Sequence, residues 1–168
     1  MEEIMIRKEL EKLFGSFCKT AEGFFYSEEE VQFLIFIFYV KNNRIAGDPV
    51  IPLTEDRDKI SRLVQQRCRE RNAVAGIIVG EAWIVRPKKD EIVLNGIVPS
   101  KRPDRIEVLN VILVSKILNK GRVWKIIRDG KKHLEPLGDG DLNPIYSKFF
   151  GDYFNVDVPK SEGKEMKN

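Results

Sequence analysis

The chain predicts an α+β domain, a mostly antiparallel sheet of about five strands packed by two or three helices. Three observations predict it. Two stretches repeat apolar residues at helical spacing, several others are rich in β-branched and aromatic residues, and short Asn- or Gly-containing turns join consecutive strand-like runs. With 168 residues, 42% hydrophobic and 33% charged, the chain is large enough to bury one core. Residues 1–158 read as a single domain and 159–168 as a polar, flexible tail.

Ile6, Leu10, Leu13, Phe14 and Phe17 recur at helical spacing with Lys8, Glu9, Glu11 and Lys12 between them, which predicts an amphipathic helix over 2–19, with Gly23 beyond its end. Ser27 followed by Glu30 has the form of a capping box, the start of a helix. The run from Gln32 to Val40 is β-branched and aromatic and predicts a strand buried on both faces. Asn42-Asn43 predicts a tight turn, and Arg44 to Leu53 a weaker strand broken by Gly47, Pro49 and Pro52. Thr54 with the acids that follow predicts the N-cap of a helix over 55–71. Arg67, Arg69 and Arg71 complement the dipole of its last turn, and Ile60, Leu63, Val64, Arg67 and Cys68 share a face, of which Ile60, Leu63 and Val64 are expected to pack on the sheet.

Strands follow at 73–85, 105–118 and 122–128, the last two joined through Asn119-Lys120-Gly121. Asn143-Pro144 predicts a third helix start. Phe149, Phe150, Tyr153 and Phe154 follow it as an apolar stripe that must cover the domain's own core or join two copies in a homo-oligomer.

The net charge of +3 does not itself imply a nucleic-acid partner. Its distribution is uneven. Residues 84–134 hold 13 Lys and Arg against 5 Asp and Glu, whereas both flanks are mildly acidic. This predicts either a solvated sheet face or an anion-binding surface. Cys18 and Cys68 stand alone in predicted helices, which excludes a zinc knuckle and a disulfide framework and fits a reducing compartment. The first residues lack the pattern of a secretory signal, and the most apolar run, Val31 to Val40, is too short for a helical membrane span. A cytoplasmic protein with no membrane partner is the expectation, in a bacterial or phage-infected cell once the resemblance below is taken in.

His133 is the only histidine, and no nucleophile turn, Walker A, GxGxxG or HExxH pattern is present. Catalytic residues are therefore unassigned, and neither a cofactor nor a metal is expected. Carboxylates remain. Glu81 interrupts an apolar strand, so it is partly buried and needs a partner, most simply an Arg on the neighbouring strand. Pro99-Ser-Lys-Arg-Pro-Asp-Arg105 is a proline-stiffened loop with three cations, leading into Glu107. Its Pro103-Asp104 lacks the E-x-K triplet that a PD-ExK nuclease needs on the next strand. The candidate binding residues are Glu81, Trp83, Lys101, Arg102, Asp104, Arg105 and Glu107. Arg105 is expected to turn back toward Glu81 or Asp104 and anchor the loop, with Lys101 and Arg102 facing outward.

Glu81-Ala-Trp83 in a strand, then Pro99-Ser-x-Arg-Pro-Asp-Arg-x-Glu107 entering the next, resembles an uncharacterised protein family of phages and bacteria, over roughly residues 30–128. The resemblance implies one helix on a mostly antiparallel sheet, with Glu81, Asp104 and Arg105 near one another at an end or edge. It supplies no mechanism. The first functional expectation is a non-catalytic, phage-related accessory or binding protein, which would meet a protein or anionic partner through a basic sheet surface and the 99–105 loop. The second is a carboxylate-based enzyme, metal-dependent or not, acting on nucleic acid or another anionic substrate. Nucleic-acid binding alone ranks third, because no helix-turn-helix, zinc module or aromatic sheet motif is recognisable.

Overall fold

The computed structural model describes residues 1–27, 31–84, 105–141 and 149–154. Among the described residues, two helices and six strands run in the order α1 (Glu3–Ser27), β1 (Leu34–Lys41), β2 (Arg44–Val50), α2 (Arg57–Arg71), β3 (Ala75–Ile84), β4 (Ile106–Ser115), β5 (Lys120–Ile127) and β6 (His133–Asp141). The strands form one sheet of order β2-β1-β3-β4-β5-β6, and every neighbouring pair is antiparallel. The α+β class is as the sequence predicts, with one strand more than the expected five.

Helix α1 is longer than its predicted 2–19. The buried stripe Leu10, Phe14, Cys18, Ala21 and Phe25 continues at steps of three and four past Gly23. Gly23 lies on the exposed side, where its cost of about 1 kcal/mol is outweighed by burial of Phe25. Ser27 closes this helix by donating its hydroxyl to the Phe24 carbonyl at 3.3 Å, so it is not the N-cap of a new one. Residues 28–30 lie outside the described residues.

Strand β1 is packed on both faces, as its sequence predicts. Phe38 joins the cluster under α1 with Ile77, Leu109 and Trp124, whereas Ile35 and Ile37 join Val64, Cys68, Phe150 and Phe154 under α2. The molecule is thus three layers deep, with the sheet between α1 on one face and α2 with the 149–154 turn on the other. Asn42 and Asn43 both take positive φ (50° and 59°), the backbone a two-residue hairpin needs to match the twist of its strands.

Helix α2 begins two residues later than predicted. Asp56, not Thr54, is its N-cap, with a carboxylate that accepts from the amides of Asp58 (3.0 Å) and Lys59 (3.3 Å). The Thr54 hydroxyl instead accepts from the Asp56 amide at 3.1 Å. Ile60, Val64 and Cys68 are buried and Leu63 packs beside them, as the sequence requires. Replacing Asp56 by Ala should cost about 1 kcal/mol in chemical denaturation, and Thr54→Ala clearly less. Equal losses would show that both residues cap.

The sixth strand escaped the sequence reading because Pro136, Gly138 and Gly140 look like turn residues. An edge strand tolerates them, since only one side of it must be paired. The ladder to β5 slips between Val123 and Trp124, where Trp124 faces Pro136. The chain's own core takes the C-terminal aromatics. Phe150 and Phe154 are 1% and 2% exposed, and Tyr153 donates its hydroxyl to the carbonyls of Cys68 (3.0 Å) and Ala73 (3.3 Å). The predicted helix start at 143–144 and the tail at 159–168 lie outside the described residues.

Candidate functional site

The alternation of β3 places Glu81 and Trp83 on the face that carries Val79, which is the face covered by α1. Opposite them on β4, Leu109 faces Glu81 and Glu107 faces Trp83. The sequence-predicted residues Glu81, Trp83 and Glu107 therefore do converge, at the sheet end where β3 finishes and β4 begins. Lys101, Arg102 and Asp104 lie outside the described residues.

The cation seen between the two glutamates is one that the sequence did not single out. Arg128 follows the last residue of β5, two strands from β3. Its Nε lies 2.9 Å from Glu107 Oε2 and its Nη2 2.7 Å from Glu107 Oε1, a forked pair. The same Nη2 is 3.6 Å from Glu81 Oε2. Glu81 also accepts the Val31 amide at 3.3 Å. The side chains of Glu81 and Glu107 are 10% and 21% exposed, against 43% for Arg128. One half-exposed guanidinium thus serves two largely covered acids. Only the strand register could have revealed this, because Arg128 is remote from Glu81 in the chain.

Arg105, the residue expected to anchor the loop, is exposed, and its guanidinium carbon lies 4.4 Å from the centre of the Trp83 ring. That is cation–π stacking range. Trp83 is 41% exposed, whereas the second tryptophan, Trp124, is 5% exposed. Further along the same sheet end, Lys132 lies over the Phe25 ring at 4.7 Å, and the Leu134 amide donates to the Tyr26 hydroxyl at 3.1 Å. Tyr26 is 53% exposed. His133 is an exposed strand-end residue, 3.5 Å from Glu135.

The cations of the basic central segment do not all line one surface. Lys120 and Arg122 sit opposite Leu113 and Val111 on the α1 face, while Lys125, opposite Val108, alternates to the other. Arg105, Arg128, Lys131 and Lys132 gather at the sheet end or in the turn beside it. Among the described residues, no three His, Cys, Asp or Glu side chains group as metal ligands, and no helix is long and apolar enough to cross a membrane. Both cysteines are buried. Burial pushes the Cys68 thiol up to about 12, which leaves it protonated and a poor nucleophile at neutral pH.

No protein-family model matches this chain, and no curated protein or solved structure matches it either.

Proposed function

We propose that this protein is a non-catalytic binding or accessory protein that captures an anionic partner at the sheet end bearing Trp83, Arg105 and the turn from Arg128 to His133. The observation that carries the reading is the Arg128 guanidinium between Glu81 and Glu107. A carboxylate pair that performs general acid–base or metal chemistry needs at least one oxygen turned toward substrate or ion. Here the forked contact uses both oxygens of Glu107, and Glu81 is covered and receives both Arg128 and a backbone amide. The acids act as a frame that stiffens the ends of β3, β4 and β5. On that frame Arg105 lies over the half-exposed indole of Trp83, and Lys131 and Lys132 stand in the turn before β6 at the same sheet end.

Trp83 supplies the test. Because Trp124 is buried, titrating the intact chain with inorganic polyphosphate should change the emission of Trp83 selectively. Raising salt from about 0.1 M to about 1 M shortens the Debye length from about 10 Å to about 3 Å and should weaken that binding steeply. A Lys131→Gln/Lys132→Gln double variant should weaken it at low salt. Binding indifferent to both salt and this variant would rule the reading out.

A further inference from the structure

We propose that the anionic partner is a single-stranded nucleic acid, whose bases stack at the two ends of a short row crossing the sheet end. The proposal rests on the anion-binding reading above and names its partner.

The row follows from the strand order. Trp83 is on β3, Arg105 precedes β4, Arg128 follows β5, and Tyr26 is bonded to Leu134 on β6. Neighbouring strands lie about 4.8 Å apart, so the distance from β3 to β6 is about 14 Å. Along it an exposed indole, then cations, then an exposed phenol follow one another. The cations along the sheet end are Arg105 over the indole, Arg128 held between Glu81 and Glu107, and Lys132 over the Phe25 ring.

That composition discriminates between anionic polymers. An acidic polypeptide needs cations and has no use for flat, half-exposed rings. A duplex presents phosphates but keeps its bases stacked on one another. A single strand presents both phosphates and unpaired planar bases, and binds where cations alternate with aromatic faces. Arg105 contributes doubly, because a guanidinium 4.4 Å from the centre of an indole ring supplies both a charge and a planar group on which a base can stack. Glu81 and Glu107 hold Arg128 between them, so the centre of the row is not an indiscriminate cation cluster. Polar side chains of Tyr26 and His133 at the β6 end add hydrogen-bonding groups for base edges.

The test compares a fluorescently labelled oligothymidine of about fifteen nucleotides, long enough for a site of this kind, with polyglutamate of matched charge, using the intact chain at low salt. Fluorescence anisotropy should show tighter binding of the oligonucleotide, with quenching of Trp83 on saturation. Trp83→Leu should weaken oligonucleotide binding on the order of tenfold, the loss of one stacked base. Arg105→Lys, which keeps the charge and loses the plane, should weaken it severalfold. Should Trp83→Leu fail to fold, Arg105→Lys at an exposed position carries the test, with thermal melting as the control. If polyglutamate binds as well as the oligonucleotide, or if both variants bind it normally, the single-strand inference falls while anion capture stands. If neither polymer binds, both fall together.

Discussion

Replacing Phe150 by Ala is expected to destabilise the domain by about 3–5 kcal/mol, the range for deleting a large, fully buried aromatic side chain. Its ring is 1% exposed and packs edge-to-face on Phe154, with centroids 5.4 Å apart. It also rests directly on Gly76 of β3. A Cβ added to Gly76 would lie 2.1 Å from the ring carbon Cζ of Phe150, closer than any real contact. Gly76 is therefore there because the aromatic plane needs the backbone surface itself. Gly76→Ala should cost about 1–3 kcal/mol as an overpacking change. In the Phe150→Ala background the same substitution should cost close to nothing, because its obstacle is gone. Urea denaturation of the four proteins in this cycle measures the coupling. Additive losses would mean that Phe150 does not occupy the space above Gly76.

The second large effect is expected at Arg128. Removing one partner of a buried ion pair typically costs about 3–5 kcal/mol. Arg128 is 43% exposed, so solvent screens part of its interaction, and a loss of about 2 kcal/mol is the expected outcome for Arg128→Ala. The loss arises because Glu81 and Glu107, both reaching the same Nη2, then face one another without the cation between them. Two companions separate charge from shape. Arg128→Lys keeps a cation but not the fork, and should recover only part of the loss. Adding Glu81→Gln to Arg128→Ala removes one of the two like charges and should restore stability toward the parent. A double variant less stable than Arg128→Ala alone would show that like-charge proximity is not the cause. The measurement also bears on the proposed function, in which these three residues form the frame beside Trp83 and Arg105.

What was legible from residues alone follows the range of the interactions involved. Helix α2 could be read because its signals lie within one or two turns of each other: acids at its start, arginines at its end, and a buried face at steps of three and four. Its cap was misplaced by two residues because Thr54 and Asp56 are both competent acceptors, and the path of the chain into the helix decides which one meets the free amides. The Asn42-Asn43 turn was equally local, since two consecutive residues able to adopt positive φ suffice. The end of α1 was misjudged because Gly23 is a breaker only when no later residue has a core to enter, and Phe25 does.

The sequence by itself determined the fold class, the alternation that puts Glu81 and Trp83 on one face of β3, and the need of a covered Glu81 for a cation. These depend on periodicity and on the cost of burying a charge, which any stretch of chain carries with it. Tertiary structure alone decided that Arg128 sits between Glu81 and Glu107, that Arg105 lies over Trp83, that a proline- and glycine-bearing segment closes the sheet as β6, and that Phe150 rests on Gly76. Each of these joins segments far apart in the chain. Which ones meet is set by strand order and register, and a one-residue slip in any ladder would turn the same side chains to the opposite face.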